Sequence, residues 1–491
     1  MSIEYLSAVQ LGKLVNKREI SCREVLEFFK DRIEKRNPSI NAFVYTKFDE
    51  AFECAEAIQN KIMKGEYVGP FAGVPVGLKD FLPAKKGWTA SHGGVKSFIT
   101  VDSEDCTFWK AAEKLGCIAV GKTNAPSFGF RGTTYNKMYG NTNNPFNLSY
   151  NSGGSSGGSC AAVGGLLVPL ASCGDAGGST RVPSAWCNCF GFKPSAGLVP
   201  SICRPDAWTA THPYCCDGPT ARTVKDAAFI MDNMMEYDPK DPISVPLQPK
   251  NFAFLDNGCL EHIKQFKIAV TYNYNLFPFV DSQISDAVYE IAELFSDLGA
   301  TVEYVNFEFN HTLDDMVEAW LRSISVDSAV DMELMKQSGF DLIGDYAEDL
   351  PEQFIKWAKI AYDSTMMDYR KFHEIRTDIL DANIAILSDY DLILSPVTSC
   401  MPVLNSEDDT KGPSSMGGED TEQLIGFCQT WLQNMTGNPA ASVPAKLGSN
   451  NLPIGVQIVG RRYRDEDVFT AAYVIEKMRP WTGSYRKIID C

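Results

Sequence analysis

The sequence predicts an α/β protein, and three observations carry that reading. Six short apolar runs bounded by Gly, Pro or charge, at residues 74–78, 117–121, 267–271, 301–305, 391–395 and 454–459, read as buried strands. Helical patterns lie between several of them: Val288, Ile291, Leu294, Phe295 and Leu298 make one stripe, closed by Gly299 just before the run at Thr301. The chain also begins with helices. Ser21-Cys-Arg-Glu24 is a capping box followed by Val25, Phe28, Phe29 and Ile33 at helical spacing, so a helix is expected over 22–36, stopped by Pro38. Alternation of this kind stacks helices on a sheet in layers.

Composition narrows the function classes. The 491 residues carry 45 Lys+Arg against 62 Asp+Glu, a net charge of −17, with 44% hydrophobic residues, which places the chain among ordinary globular proteins. That charge repels phosphate backbones, and no run of five Lys/Arg offsets it, so nucleic acid is not an expected partner. The most apolar stretch, residues 161–173, is broken by Pro169 and falls short of the roughly 20 residues a membrane span needs. Met1-Ser-Ile-Glu-Tyr5 lacks the basic and apolar regions of a secretory signal, and the 15 cysteines include no C-x-x-C pair. Reduced thiols in a cytoplasmic protein are therefore expected. Residues 150–180 are rich in Gly and Ser but run into apolar sequence, unlike a linker, whereas acidic residues 404–424 read as a surface loop. With no linker found, one domain over 1–491 is expected, with a variable insertion at about 236–390.

The chemistry-bearing residues are few. None of His92, His212, His262, His311 and His373 has metal-ligand spacing, and Cys187-x-Cys189 and Cys215-Cys216 lack a second matching pair, so neither a metal nor a cofactor is expected. Two Gly/Ser segments stand out: Gly153-Gly-Ser-Ser-Gly-Gly158 and Asp175-Ala-Gly-Gly-Ser-Thr-Arg181. Glycines let backbone N–H groups converge on a small volume, which suits a developing oxyanion, and each segment places a Ser in such backbone. A serine hydroxyl needs a base. Lys79, at the end of the apolar run Gly73-Val-Pro-Val-Gly-Leu-Lys79-Asp80, can serve if burial lowers its pKa from about 10.4 to about 7, at a cost near 4 kcal/mol against the charged form.

Taken together, these segments resemble the amidase signature family of serine amide hydrolases. The resemblance includes Gly73-Val-Pro-x-x-x-Lys79-Asp80, Gly121-Lys-Thr-Asn124, Asn144-Pro145, the double-Gly/double-Ser run, Asp175-x-Gly-Gly-Ser-x-Arg181, Cys187 and Gly191-Phe-Lys-Pro194. It continues in Thr436-Gly-Asn-Pro-Ala and Leu452-Pro-Ile-Gly-Val-Gln457, leaving out mainly residues 236–390. It implies a three-layer α/β/α fold with a large central mixed sheet covered by helices on both faces. Lys79 then matches the buried base, Ser155 the bridging serine after a cis peptide, and Ser179 the acylated nucleophile. Ala176, Gly177, Gly178 and Ser179 match the backbone donors of the oxyanion hole. Ser156, Asp175 and Arg181 match supporting positions, and Gly129 a substrate-contacting one. The implied reaction needs no cofactor, and the implied partner is a small or medium, linear or cyclic amide, with the 6-aminohexanoate cyclic dimer hydrolase type nearest. A homodimer is compatible with it.

This sequence departs from the family pattern at Ser127, Gly174 and Thr180, which points to altered packing around the nucleophile loop. Three other readings stand beside the amidase: an esterase or carbamate hydrolase on the same residues, an amidotransferase-type component that works in a complex, and a binding protein that kept the fold. Gly153-x-Ser155-x-Gly157 also satisfies the nucleophile elbow of α/β-hydrolases, but the Asn-rich stretch before it lacks the β-branched residues of a buried strand. The acyl pocket is expected to be lined by residues 125–140, residues 395–404 and parts of the 236–390 insertion, with Phe128, Phe130, Tyr135, Met138 and Met401 among the first two segments.

Overall fold

A computed structural model describes residues 2–81, 84–246, 251–253 and 255–488. Its centre is one 11-stranded mixed sheet. In chain order the strands are β1 (Phe43–Thr46), β2 (Pro75–Lys79), β3 (Ile118–Thr123), β4 (Leu170–Asp175), β5 (Phe190–Lys193), β6 (Cys216–Ala221), β7 (Lys267–Val270), β8 (Thr301–Tyr304), β9 (Leu392–Pro396), β10 (Ala440–Leu447) and β11 (Pro453–Gly460). They lie side by side as β1-β3-β2-β4-β6-β5-β10-β11-β9-β7-β8. Pairing is parallel in the blocks β3-β2-β4 and β9-β7-β8 and antiparallel elsewhere.

The helices that position the site are α1 (Cys22–Ile40), α2 (Gly157–Gly164), α3 (Arg181–Trp186), α4 (Val224–Met234), α5 (Ser282–Asp297), α6 (Leu313–Gln337), α7 (Glu352–Asp363), α8 (Met366–Leu387) and α9 (Asp465–Met478). On β5, Phe190 and Phe192 pack on Phe469 of α9, with ring centroids 5.8 and 4.4 Å apart. Gly191 between them faces α3, where a Cβ would stand 2.2 Å from Ser184 Oγ. The period of two therefore puts α9 and α3 on opposite faces of the sheet. The three-layer α/β/α arrangement follows. Helices α6, α7 and α8 bring Trp320, Phe354, Trp357 and Phe372 into a second apolar core that also holds Trp186, Phe427 and Trp431.

All six expected strands are present, each within two residues of its sequence boundary at either end, and the 288–298 stripe lies on α5, followed by Gly299 at φ 96°. One boundary differs. Helix α1 runs through Pro38 to Ile40 and ends at left-handed Asn41 (φ 56°). Proline so near a C-terminus forfeits only one hydrogen bond, and the chain leaving the helix is fixed by Asn37 Oδ1, which accepts from the N–H groups of Ala42 and Phe43. Among the described residues, no helix is long and apolar enough to cross a membrane.

Five strands of the sheet have no counterpart among the expected runs: β1, β4, β5, β6 and β10. Three of them, Leu-Ala-Ser-Cys-Gly-Asp of β4, Cys-Asp-Gly-Pro-Thr-Ala of β6 and Ala-Ala-Ser-Val-Pro-Ala-Lys-Leu of β10, are rich in small residues because helices press close on them, whereas β1 and β5 are only four residues long. Helix α2 is the extreme case, buried along its whole length. A Cβ at Gly158 would lie 2.2 Å from the backbone nitrogen of Asn124, which cannot move without breaking the Asn124 N–H to Ala42 O bond. Gly158→Ala is expected to destabilise the protein by about 3 kcal/mol, near the upper end of overpacking penalties. A lowered denaturant midpoint at unchanged m-value is the measurement.

Candidate active site

The ends of β2 and β4 and the starts of α2 and α3 meet at the site. Lys79 is the last residue of β2, and it is buried, only 7% exposed. Its N–H donates to Ser172 Oγ of neighbouring β4 at 2.8 Å, and Nζ is hydrogen-bonded to Ser155 Oγ at 2.8 Å. The adjacent carboxylate does not neutralise it: Asp80 accepts from Ser91 N–H at 3.1 Å and lies 3.6 Å from Lys122, which also pairs with Asp102 at 2.7 Å. Burial pushes the Lys79 ammonium down to about 8, against the opposing pull of Cys173, Asp217 and Asp175.

Ser155 sits in the turn before α2, after a cis Gly154–Ser155 peptide. The glycines around it are dictated by contact. A Cβ at Gly154 would fall 2.5 Å from Thr133 O, and one at Gly129 (φ 67°) would fall 3.2 Å from Ser155 Oγ. Gly129 thus borders the serine directly. Ser156 N–H donates to Ser179 O at 3.2 Å, tying the two Ser-bearing segments together, and Ser156 Oγ donates to Gly174 O at 3.4 Å.

The loop 175–179 is held by an ion pair and by its own carbonyls. Arg181, fully buried at the start of α3, donates from Nε and Nη2 to Asp175 at 2.9 and 2.8 Å, and from Nη1 to Thr430 O and Gln457 Oε1 at 2.8 and 2.7 Å. Burial alone would raise the Asp175 carboxyl; the guanidinium overrides it and holds the group down to about 2. Asp175 O accepts from Asn434 Nδ2 (2.9 Å), Ala176 O from Trp320 Nε1 (3.1 Å) and Gly177 O from Thr430 Oγ1 (2.7 Å). With three successive carbonyls held, the alternating N–H groups are oriented too. Gly178 departs from the expected donor set, because its N–H is already given to Asp175 Oδ1 at 2.8 Å.

These groups border a cavity of about 260 Å³ lined by Lys79, Ser155, Asp175, Ala176, Ser179 and Gly129. Phe81, Phe108, Phe128 and Phe130 supply aromatic wall, and Asp217, Asp327 and Asp331 supply carboxyls. Burial raises Asp217 to about 6, and burial with Asp206 and Asp331 raises Asp327 to about 8. Gly174 is paired with Asp217 across β4 and β6, and a Cβ there would meet only Asp217 Oδ1, at 3.5 Å. At the other two departures from the family pattern, Thr180 is buried and gives its N–H to Asp175 Oδ2, and Ser127 Oγ donates to Gly93 O at 3.3 Å.

The expected lining needs correction. Phe128 and Phe130 face the cavity, but Tyr135, Met138 and residues 395–404 do not line it. Thr398, Cys400 and Met401 instead border Ala185 and Trp186, at the far end of α3 from the reacting groups. The insertion contributes as expected, through one face of α6, Ile324, Asp327, Ser328 and Asp331, at helical spacing, and residues 201–217 take the place of the missing segments. The supports Trp320, Thr430 and Asn434 carried no signal of their own in the sequence. Replacing Arg181 with Leu would strand the buried Asp175 carboxylate. A loss of about 3–5 kcal/mol in unfolding free energy is expected, measured by chemical denaturation.

Comparison with known proteins agrees with this geometry. The family model described as Amidase matches residues 24–469. The chain is 29% identical over 486 residues to an acylamidase from Rhodococcus erythropolis, covering 98% of this chain and 97% of that one. It is 30% identical over 499 residues to a glutamyl-tRNA(Gln) amidotransferase subunit from Agathobacter rectalis, covering 98% and 95%. Among solved structures, a bacterial aryl acylamidase of the amidase signature enzymes superposes with a TM-score of 0.93 at 39% identity, and 6-aminohexanoate cyclic dimer hydrolase with 0.85 at 27%, each covering 98% of both chains. Fold, motifs and matched length together make this chain a member of the amidase signature family, enzymes that hydrolyse carbon–nitrogen amide bonds.

Proposed function

We propose that the protein hydrolyses small or medium carboxylic amides, acylated arylamines foremost, through an acyl-enzyme on Ser179. The observation that carries this reading is the 2.8 Å contact between buried Lys79 Nζ and Ser155 Oγ, in a cavity that Ser179 also lines. Neutral Lys79 takes the Ser155 proton as Ser155 takes that of Ser179, and the Ser179 oxygen attacks the amide carbonyl. The N–H groups of Ala176, Gly177 and Ser179 receive the oxyanion, each such donor contributing about 2.7–4 kcal/mol. Ser155 returns the proton to the departing nitrogen, and water entering by the same relay releases the acid. Esters and carbamates can enter the same route.

The preference for an aryl group rests on the four phenylalanines of the cavity wall and on the likeness to an aryl acylamidase. The likeness to amidotransferase subunits supports a second reading, a component that is active only within a complex. Labelling with a fluorophosphonate separates these possibilities when paired with anilide hydrolysis by the purified chain. The adduct is expected on Ser179, with arylamine release lost in Ser179→Ala; an adduct elsewhere overturns the assignment, and strict dependence on partner chains favours the second reading.

Because the base is a neutral lysine, kcat/KM is expected to rise with pH through about 8 and level off above it. Lys79→Ala should lower the plateau by roughly 10²–10⁴. Above about pH 8, where Asp217 and Asp327 are ionised and activity has reached its plateau, these carboxylates also make the cavity hostile to anions. An anilide whose acyl chain ends in a carboxylate should react at least about 10-fold more slowly than its neutral counterpart, the equivalent of ~1.4 kcal/mol of charge repulsion, and Asp327→Asn should narrow the gap.

A further inference from the structure

The oxyanion-binding loop is braced from outside the segments that carry the family motifs. Helix α6 begins at a capping box on Thr312 and turns one face to the site. Ile324, Asp327, Ser328 and Asp331 on that face line the cavity, and Trp320 sits one turn before Ile324. Trp320 is only 4% exposed, and it makes two contacts with the loop. Its indole N–H donates to Ala176 O at 3.1 Å. Its six-membered ring lies against Gly177, so close that a Cβ there would stand 2.6 Å from Cζ2.

In a trans peptide unit the carbonyl of one residue and the N–H of the next point in opposite directions. Holding Ala176 O toward α6 therefore aims Gly177 N–H away from α6. Thr430 and Asn434 do the same for the flanking peptide units, each with its own hydrogen bond. Gly178 N–H is occupied by Asp175, so fewer donors remain for an oxyanion and the aim of Gly177 matters more.

We propose that Trp320 is a positioning residue of the oxyanion hole, holding the Ala176–Gly177 peptide so that Gly177 N–H meets the oxygen of the tetrahedral intermediate. This inference rests on the acyl-enzyme reading above. It makes helix α6 part of the reaction machinery as well as part of the cavity wall.

Trp320→Phe keeps an aromatic ring over Gly177 and removes the N–H donor. A second variant, with β-(3-benzothienyl)alanine at 320, replaces N–H by sulfur in a bicycle of the same shape and covers the case in which the first fails to fold. In whichever variant folds, kcat on an anilide should fall roughly 10- to 100-fold, no more than the loss of one oxyanion donor costs, with KM within about twofold. Affinity for a trifluoromethyl ketone, which forms a tetrahedral adduct, should fall by a similar factor. The rate of fluorophosphonate labelling at Ser179 should slow in step. Unchanged kcat and labelling rate, or a loss confined to KM, would overturn the role of Trp320 while leaving Ser179 in place. An adduct mapped to another residue in the parent enzyme would instead remove the reading on which the inference stands.

Discussion

A buried lysine with no carboxylate against it is the constraint around which this site is arranged. Lys79 ends a central strand, hidden from solvent, and its nearest polar contact is a serine hydroxyl at 2.8 Å rather than a carboxylate. The carboxylate one residue along is kept away by Lys122, which itself pairs with Asp102. Desolvation is therefore left free to act on the ammonium, and it wins over the attraction of the more distant acids. A salt bridge at this position would hold the proton on Lys79 and so block the relay proposed above.

Keeping that contact dry requires close backbone packing, which explains the distribution of glycine. Gly154 and Gly158 stand where the Thr133 and Asn124 backbones leave no room for a Cβ, and Gly129 leaves space beside the Ser155 hydroxyl. The second requirement is a loop whose N–H groups are aimed before substrate arrives. Asp175 and Arg181 anchor its two ends, while Asn434, Trp320 and Thr430 hold its carbonyls. These braces come from widely separated parts of the chain. Preorganisation of this kind lets the donors stabilise developing charge without reorganising during the reaction.

The cavity itself combines opposite qualities. Its aromatic wall favours flat apolar groups, and Phe128 is held in place by stacking on Phe354 of α7 at 5.4 Å, with Phe130 edge-on to the same ring at 5.0 Å. The acidic residues on β6 and α6 set the sign of charge the pocket tolerates. Sheet and helical cover thus divide the work: the strands and their turns hold the reacting groups, and the helices shape what may reach them.

Much of this was legible in one dimension. The capping box at Ser21, the Gly299 stop and the short apolar runs read correctly because each depends on neighbours in the chain. The candidates Lys79, Ser155 and Ser179 also stood out, because they occur in local patterns of unusual composition, and the fold brings all three to one cavity. Of the five remaining strands, β4, β6 and β10 were not legible because buried strands pressed between close helices need small side chains and so lose the apolar signature that marks a strand, and β1 and β5 because four residues are too few to show a pattern. The lining of the cavity was misplaced for a related reason. Residues 395–404 are apolar and follow a central strand, but only the antiparallel pairing of β9 with β11 carries them to the far end of α3. Sequence alone determined the layered fold class and singled out the candidate residues Lys79, Ser155 and Ser179, since both are written in short-range pattern. Tertiary structure decided that Lys79 is dry, that Gly178 N–H is already taken, and that Trp320 braces the loop, because burial and hydrogen-bond direction depend on residues brought together from distant parts of the chain.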